Sequence, residues 1–154
     1  MRILLAVDGS PCSEAATSQM ARRPWPAGTQ VEVVTVVHTN MPLIPDPTLT
    51  GVGMRWTAIE EDRADAPKRV DAAREQLAAA TDLDVSMKVL EGEPAHAIVE
   101  EADQWQADLV VLGSHGYGAI KRFALGSVSQ KVASHAHCSV EIVRCPHLQA
   151  QASA

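Results

Sequence analysis

The chain is predicted to fold as an open, doubly wound α/β domain: a five-stranded parallel sheet in the order 3-2-1-4-5 with helices on both faces. Three observations carry that prediction. Strand-like and helix-like segments alternate strictly from one end to the other. Several of the strand segments are unbroken apolar runs, the pattern of strands covered on both faces. A glycine-rich stretch, Gly113 to Ser127, joins one such run, Leu109-Val110-Val111-Leu112, to a helical pattern.

In chain order, Ile3 to Val7 is the first strand, closed by Asp8-Gly9-Ser10. Ser10 suits the N-cap of the next helix and Pro11 its first position. That helix must stop before Pro24, and Pro24-Trp25-Pro26-Ala27-Gly28 turns the chain. The second strand, Val31 to Val37, is dominated by Val. From Thr39 to Met54 the prolines and glycines predict a long irregular connection, functional or disordered. Its apolar Met41, Leu43, Ile44 and Leu49 argue against full disorder; a flap near a ligand and a passive surface insertion fit it equally.

Ala66, Val70, Ala73, Leu77 and Ala80 then fall at helical spacing. Pro67 either opens this helix or kinks a longer one starting near Thr57. In the third strand Val85, Met87 and Val89 alternate with Ser86 and Lys88. Gly92 and Pro94 lead into a helix with the stripe Ala95, Ile98, Val99, Ala102 and Trp105. Leu109 to Leu112 is the fourth strand. Past the glycine loop comes a helix with Val128, Val132 and Ala136, then the last strand, Ser139 to Arg144, where Val140 and Ile142 flank Glu141. Strands one, two and four, read as apolar throughout, belong inside; three and five alternate and belong at the edges. The order 3-2-1-4-5 satisfies this. Residues 1–146 form a single domain, and the Gln- and Ala-rich 147–154 a flexible tail.

Length and composition agree. A chain of 154 residues suits one domain with a real core. Only 3% of residues are aromatic, so that core is built from Val, Leu, Ile, Ala and Met. The net charge of −6, without a dense Lys/Arg run, argues against nucleic acid or an anionic membrane as main partner. No stretch approaches the length of a membrane span, and Asp8 cuts the N-terminal apolar run too short for a signal peptide. Cys12, Cys138 and Cys145 have no metal-like spacing, and are expected to be reduced thiols in a cytosol.

In an open parallel sheet ligands sit at the carboxyl ends of the strands where the winding reverses, here between strands one and four. Strand one ends at Asp8 and strand four at Gly113, so the glycine loop and a carboxylate converge on one crevice. Glycines let a ligand approach the main chain, and the first turn of a helix offers N–H groups and a dipole that favour an anion. Ser127 and Gln130 have capping-box spacing. A polyphosphate is the natural guest. The pattern is not a Walker loop, because Gly126 stands where that motif has its lysine. Asp8 has a plainer reading as a turn residue before the next helix.

Gly113, two residues, Gly116, nine residues, Gly126-Ser127 resembles the nucleotide-binding signature of the universal stress protein family. The flanks, Asp108-Leu109-Val110-Val111-Leu112 before it and Ser127 to Arg144 after it, agree, as does the start, Ile3-Leu4-Leu5-Ala6-Val7-Asp8-Gly9-Ser10. The resemblance spans Arg2 to Arg144. It implies adenine against Val36 at the end of strand two, ribose near Asp8, and phosphates on Gly113, Gly116, Gly126, Ser127 and Val128. The implied ligand is ATP, with or without Mg2+. The implied assembly is a homodimer pairing through the last strand, with Val140 and Ile142, in a cytoplasmic regulatory protein. Lys121, Arg122 and His115 fit either a phosphate-screening role or a solvated loop face. His135 and His137 do not share a helix face and imply no metal. A slow ATPase and a non-binding interaction module of the same fold are the alternatives. For the first, no dedicated base and no P-loop lysine are present. The adenylyl-transfer motifs Ser-Gly-Gly-x-Asp-Ser and His-x-Gly-His are absent as well.

Overall fold

A computed structural model describes residues 1–39, 50–116 and 125–145, with residues 50–56 described by backbone alone. The element order is β1 (Arg2–Ala6), α1 (Pro11–Arg22), β2 (Gln30–His38), α2 (Thr50–Ala80), β3 (Asp84–Gly92), α3 (Pro94–Gln104), β4 (Leu109–Gly113), α4 (Ser127–His135) and β5 (Ser139–Val143). The strands form one sheet in the order β3-β2-β1-β4-β5, every pair parallel. The tail 147–154 and part of the connection from Thr39 lie outside the described residues.

The alternation of side chains along each strand creates two cores. Ile3, Leu5, Val31, Val33 and Val111 face α1 and α2, meeting Ala16, Met20, Val70, Ala73 and Leu77. Leu4, Ala6, Val34, Val110 and Leu112 face α3 and α4, meeting Ala95, Ile98, Ala102 and Val132. Helices on both faces are what right-handed crossovers produce when a sheet is wound outward in both directions from its centre.

Three local expectations need correction. The connection after β2 is shorter than its composition suggests, because Gly51 and Gly53 lie within the first residues of α2. Glycine weakens a helix by about 1 kcal/mol but does not break it, and all three prolines of the segment precede Thr50. Pro67 does not open the helix; it lies within the longer one of the second reading, which starts at Thr50 rather than near Thr57. It sits inside the 31 residues of α2 on an exposed face, where the carbonyl it leaves unpaired can be hydrated. Ala80, placed on the buried stripe by spacing, is exposed at the helix's last turn.

The other correction is chemical. β2 is not apolar throughout: Glu32 and Thr35 are buried in it. Glu32 lies beneath α3 beside buried Glu101, whose two oxygens accept from Lys88 Nζ of β3 at 2.8 and 2.7 Å. One Glu32 oxygen has no partner. Burial, then the charge and hydrogen bond of Glu101, push the Glu32 carboxyl up to about 6, with Lys88 opposing. Because that value is raised above its ordinary 4.5, ionising Glu32 costs native stability. The penalty is absent below pH about 4.5, grows as pH rises, and is complete above about 6. Glu32→Gln is therefore expected to stabilise the protein by about 2 kcal/mol at pH 8 and hardly at all at pH 4.5. Urea denaturation at the two pH values checks this; equal effects at both would remove Glu32 as the cause.

Candidate functional site

β1 and β4 are neighbours as far as Ala6 opposite Leu112. Beyond that point they part. Val7 N–H donates to Val34 O of β2 at 2.8 Å, while Ser114 N–H donates to Val143 O of β5 at 2.7 Å. The backbone groups past the ladder are satisfied on opposite sides, and a cleft opens between the two strand ends. Its volume is about 610 Å³, within the range of small-molecule sites. Asp8, Val36, Gly113, Gly116, Gly126, Ser127 and Val128 all line it. These seven expected residues come from β2, the end of β4, the start of α4 and the turns that follow β1 and flank the glycine loop, and the fold gathers them in one place.

The walls divide by chemistry. Val34, Val36, Ile98 and Leu112 make an apolar side under α3. Opposite lies the start of α4. Its N-cap is Gly126, whose carbonyl accepts the first helical bond, from Gln130 N–H at 3.0 Å; no side chain caps the helix. Ser127 is therefore the first helical residue rather than the cap, and the capping box expected from Ser127 and Gln130 does not form. The consequence favours an anion. A helix N-terminus without a side-chain cap lines a cleft with N–H groups to offer.

The glycines at 113, 116 and 126 serve close approach rather than unusual backbone. Positive φ among the described glycines occurs at Gly9, Gly28 and Gly92 instead. A Cβ on Gly126 would come within 3.1 Å of Ser114 O, the carbonyl that accepts from Gly126 N–H at 2.8 Å. A Cβ on Gly116 would meet Asp8 Oδ2 at 2.6 Å. Asp8 is the turn residue of its plainer reading, and it also turns one oxygen into the cleft. Its Oδ1 accepts from Ser10 N–H at 2.9 Å, fixing the turn into α1, while Oδ2 faces across the cleft to Gly116.

A set of small hydroxyls, of which the sequence singles out only Ser10 and only as a cap, holds these pieces together. Ser129 Oγ lies 3.0 Å from Ser114 O and 2.9 Å from Gly126 O, tying α4 to the start of the loop. Ser10 Oγ donates to His115 O at 3.2 Å, and Asp8 N–H donates to Ser13 Oγ at 3.4 Å. Ser13 and Ser129 are signalled only by standing third in their helices. His115 lines the cleft and is partly buried, not solvent-facing. Lys121 and Arg122 lie outside the described residues.

His135 and His137 diverge: His135 Nδ1 lies 2.8 Å from Lys131 O and His137 Nδ1 2.9 Å from Asp103. Among the described residues no group of three or more His, Cys, Asp or Glu is placed to hold a metal, and no helix is long and apolar enough to cross a membrane. The cysteines differ from expectation. Cys12 and Cys145 are joined by a disulfide and only Cys138 is free. The pairing spans 133 positions and arises because α1 packs against β5, a contact that spacing along the chain does not reveal.

Fold and cleft define a doubly wound α/β domain with an open cleft at the switch point of its sheet. The model of the universal stress protein family matches residues 1–144, and the chain belongs to that family. A universal stress protein of Methanocaldococcus jannaschii is 30% identical over 94% of this chain and 82% of its own length. Another, of Thermus aquaticus, is 32% identical over 92% of this chain and 97% of its own. Among solved structures, universal stress protein UspA from Lactobacillus plantarum superposes with a TM-score of 0.71 at 26% identity, covering 94% of this chain and 97% of the other. The protein from Archaeoglobus fulgidus in complex with dAMP gives 0.65 at 23%, covering 93% and 97%. A universal stress protein in complex with cAMP gives 0.61 at 23%, covering 94% and 97%.

Proposed function

We propose that this chain binds an adenine nucleotide, ATP with or without Mg2+, in the cleft between β1 and β4, and works as a cytoplasmic regulatory protein whose state follows occupancy. The observation that carries this reading is the uncapped start of α4 facing an apolar wall across one cleft, with the Asp8 carboxylate between them. The three walls match the three parts of the ligand. A flat, weakly polar base suits the side made by Val36, Val34 and Ile98. A ribose hydroxyl suits Asp8 Oδ2, whose partner oxygen is already committed to the turn. Phosphates suit the main chain of Gly113, Gly116 and Gly126 and the N–H groups of Ser127 and Val128. Family members solved with dAMP and with cAMP support an adenine ligand. The test is to denature the purified protein, identify any released nucleotide by mass spectrometry, and titrate stripped protein with ATP, ADP and AMP in a calorimeter. Heat-silent titrations with all three would sink the reading.

The same reading includes a homodimer through β5. This strand is a sheet edge with β4 on one side only, and an edge without Pro or Lys invites pairing. Glu141 points back to α1, where Arg23 donates to both its oxygens at 2.8 and 2.7 Å. Val140 and Ile142 lie on the opposite face, half-buried beside α4. Ile142→Lys is expected to shift the protein from dimer to monomer at micromolar concentration in sedimentation velocity. A monomeric parent protein would refute the pairing.

A further inference from the structure

The Cys12–Cys145 disulfide lies against the back of the cleft. It joins the first turn of α1 to the second residue past β5. Cys12 is packed onto the end of β4 so closely that a Cβ on Gly113 would stand 2.6 Å from its carbonyl carbon. A short polar chain leads from its sulfur to the cleft. Ser114 Oγ donates to Cys12 Sγ at 3.7 Å. Ser114 Oγ also lies 3.0 Å from His115 Nδ1. Nε2 of the same ring is buried and without a partner. On the other side Ser13, the neighbour of Cys12, holds the Asp8 backbone. Both lips of the cleft thus rest on the residues around Cys12.

We infer that the Cys12–Cys145 bridge is a thiol–disulfide switch of the nucleotide site: oxidised, it holds the cleft in its binding geometry, and reduction by a dithiol weakens nucleotide binding. The inference rests on the nucleotide-binding reading above. A thiolate of the dithiol attacks Cys145 Sγ, the sulfur–sulfur bond breaks, and Cys12 leaves as a thiolate. The reductant's second thiol then displaces Cys145 and closes the reductant's own disulfide. Two electrons pass from the dithiol to the two cysteines, which end as thiols with two protons. Cys12 is the better leaving group, because the dipole at the start of α1 and the Ser114 hydroxyl both favour its thiolate. That thiolate tightens its hold on the Ser114 proton and so on the His115 ring. Loss of the bridge also frees the end of β5, to which Ser114 N–H is bonded. Cys138 stays out of the exchange: it packs with the core on the α3 and α4 face, and burial pushes its thiol up. Both bridged cysteines are buried, at 3% and 5% exposure, so exchange requires local opening, which a nucleotide holding the cleft shut opposes.

The test titrates ATP into air-oxidised protein, into protein reduced with dithiothreitol, and into Cys145→Ser, with thiols counted by alkylation and mass. The oxidised protein should show Cys138 as its only free thiol. Reduction should weaken ATP binding about tenfold, and Cys145→Ser should bind as weakly as the reduced protein and ignore dithiothreitol. By linkage, saturating ATP should make the bridge about tenfold harder to reduce, close to 30 mV in its midpoint. Equal ATP affinity in protein verified as oxidised and as reduced overturns the switch and leaves nucleotide binding standing. Absence of ATP binding in both forms overturns the nucleotide reading itself. Three alkylated cysteines in the air-oxidised protein overturn the bridge. If Cys145→Ser folds poorly, reduction of the unaltered protein decides.

Discussion

Gly116→Val is expected to lose ATP affinity by at least about a hundredfold, about 2.7 kcal/mol, while unfolding within a few degrees of the parent protein. Gly116 is exposed at the mouth of the cleft, and what an added Cβ meets is a side chain: Asp8 Oδ2 at 2.6 Å, with Asp8 Cγ at 3.8 Å. A carboxylate at the end of a short side chain can swing aside, so the fold survives. The site does not. The displaced carboxylate leaves its place across the cleft, and the two methyl groups of Val fill the space where a ligand would reach the main chain. Calorimetry with ATP beside a thermal melt separates the effects. Full affinity in a folded Gly116→Val protein would show that the ligand, if any, lies elsewhere.

This argument differs from the one the sequence suggests, and the difference shows what a sequence can tell. The glycines at 113, 116 and 126 do line one cleft, and each stands where an added Cβ would crowd a neighbour. The usual reason for glycine, positive φ, belongs to Gly9, Gly28 and Gly92 instead. A one-dimensional pattern shows that a side chain is missing without showing which neighbour excludes it. The strand order was legible for a similar reason. The alternation of Val85, Met87 and Val89 with Ser86 and Lys88 placed β3 at an edge, where it lies, although Met87 and Val89 are themselves exposed there. Glu32 shows where that logic fails: a carboxyl sits inside a covered strand, hydrogen-bonded to Glu101 and near Lys88 of other elements, at the cost of a raised pKa. The Ser127 capping box failed by one residue, since the Gly126 carbonyl had already taken the cap position. The disulfide was illegible outright. Its partners are brought together only by the packing of α1 against β5.

Gly113→Val, three residues from Gly116, is expected to do the opposite: to lose the fold before it loses the site. A Cβ on Gly113 would lie 2.6 Å from the Cys12 carbonyl carbon, 2.8 Å from Cys12 Cβ and 2.8 Å from Ser13 N. Two of these are backbone atoms in the first turn of α1, and neither side can yield. The helix start is pinned by the Ser10 cap, with Ser13 N–H donating to Ser10 Oγ at 3.3 Å, and by the Cys12–Cys145 bridge. Gly113 is pinned in the ladder opposite Val143, and the next residue bonds β5 again through Ser114 N–H. Overpacking of a core ordinarily costs about 1–3 kcal/mol, with side chains that can adjust. Against fixed backbone the loss should be at the top of that range or beyond, lowering the melting temperature by about 10 °C. Gly113→Ala adds only the clashing carbon and should show most of the loss. Urea midpoints of the two variants measure it, and an alanine variant as stable as the parent would show that α1 and β4 can move apart. Reduction of the bridge releases one of the pins on α1, so Gly113→Ala should lose less stability in reduced protein than in oxidised protein.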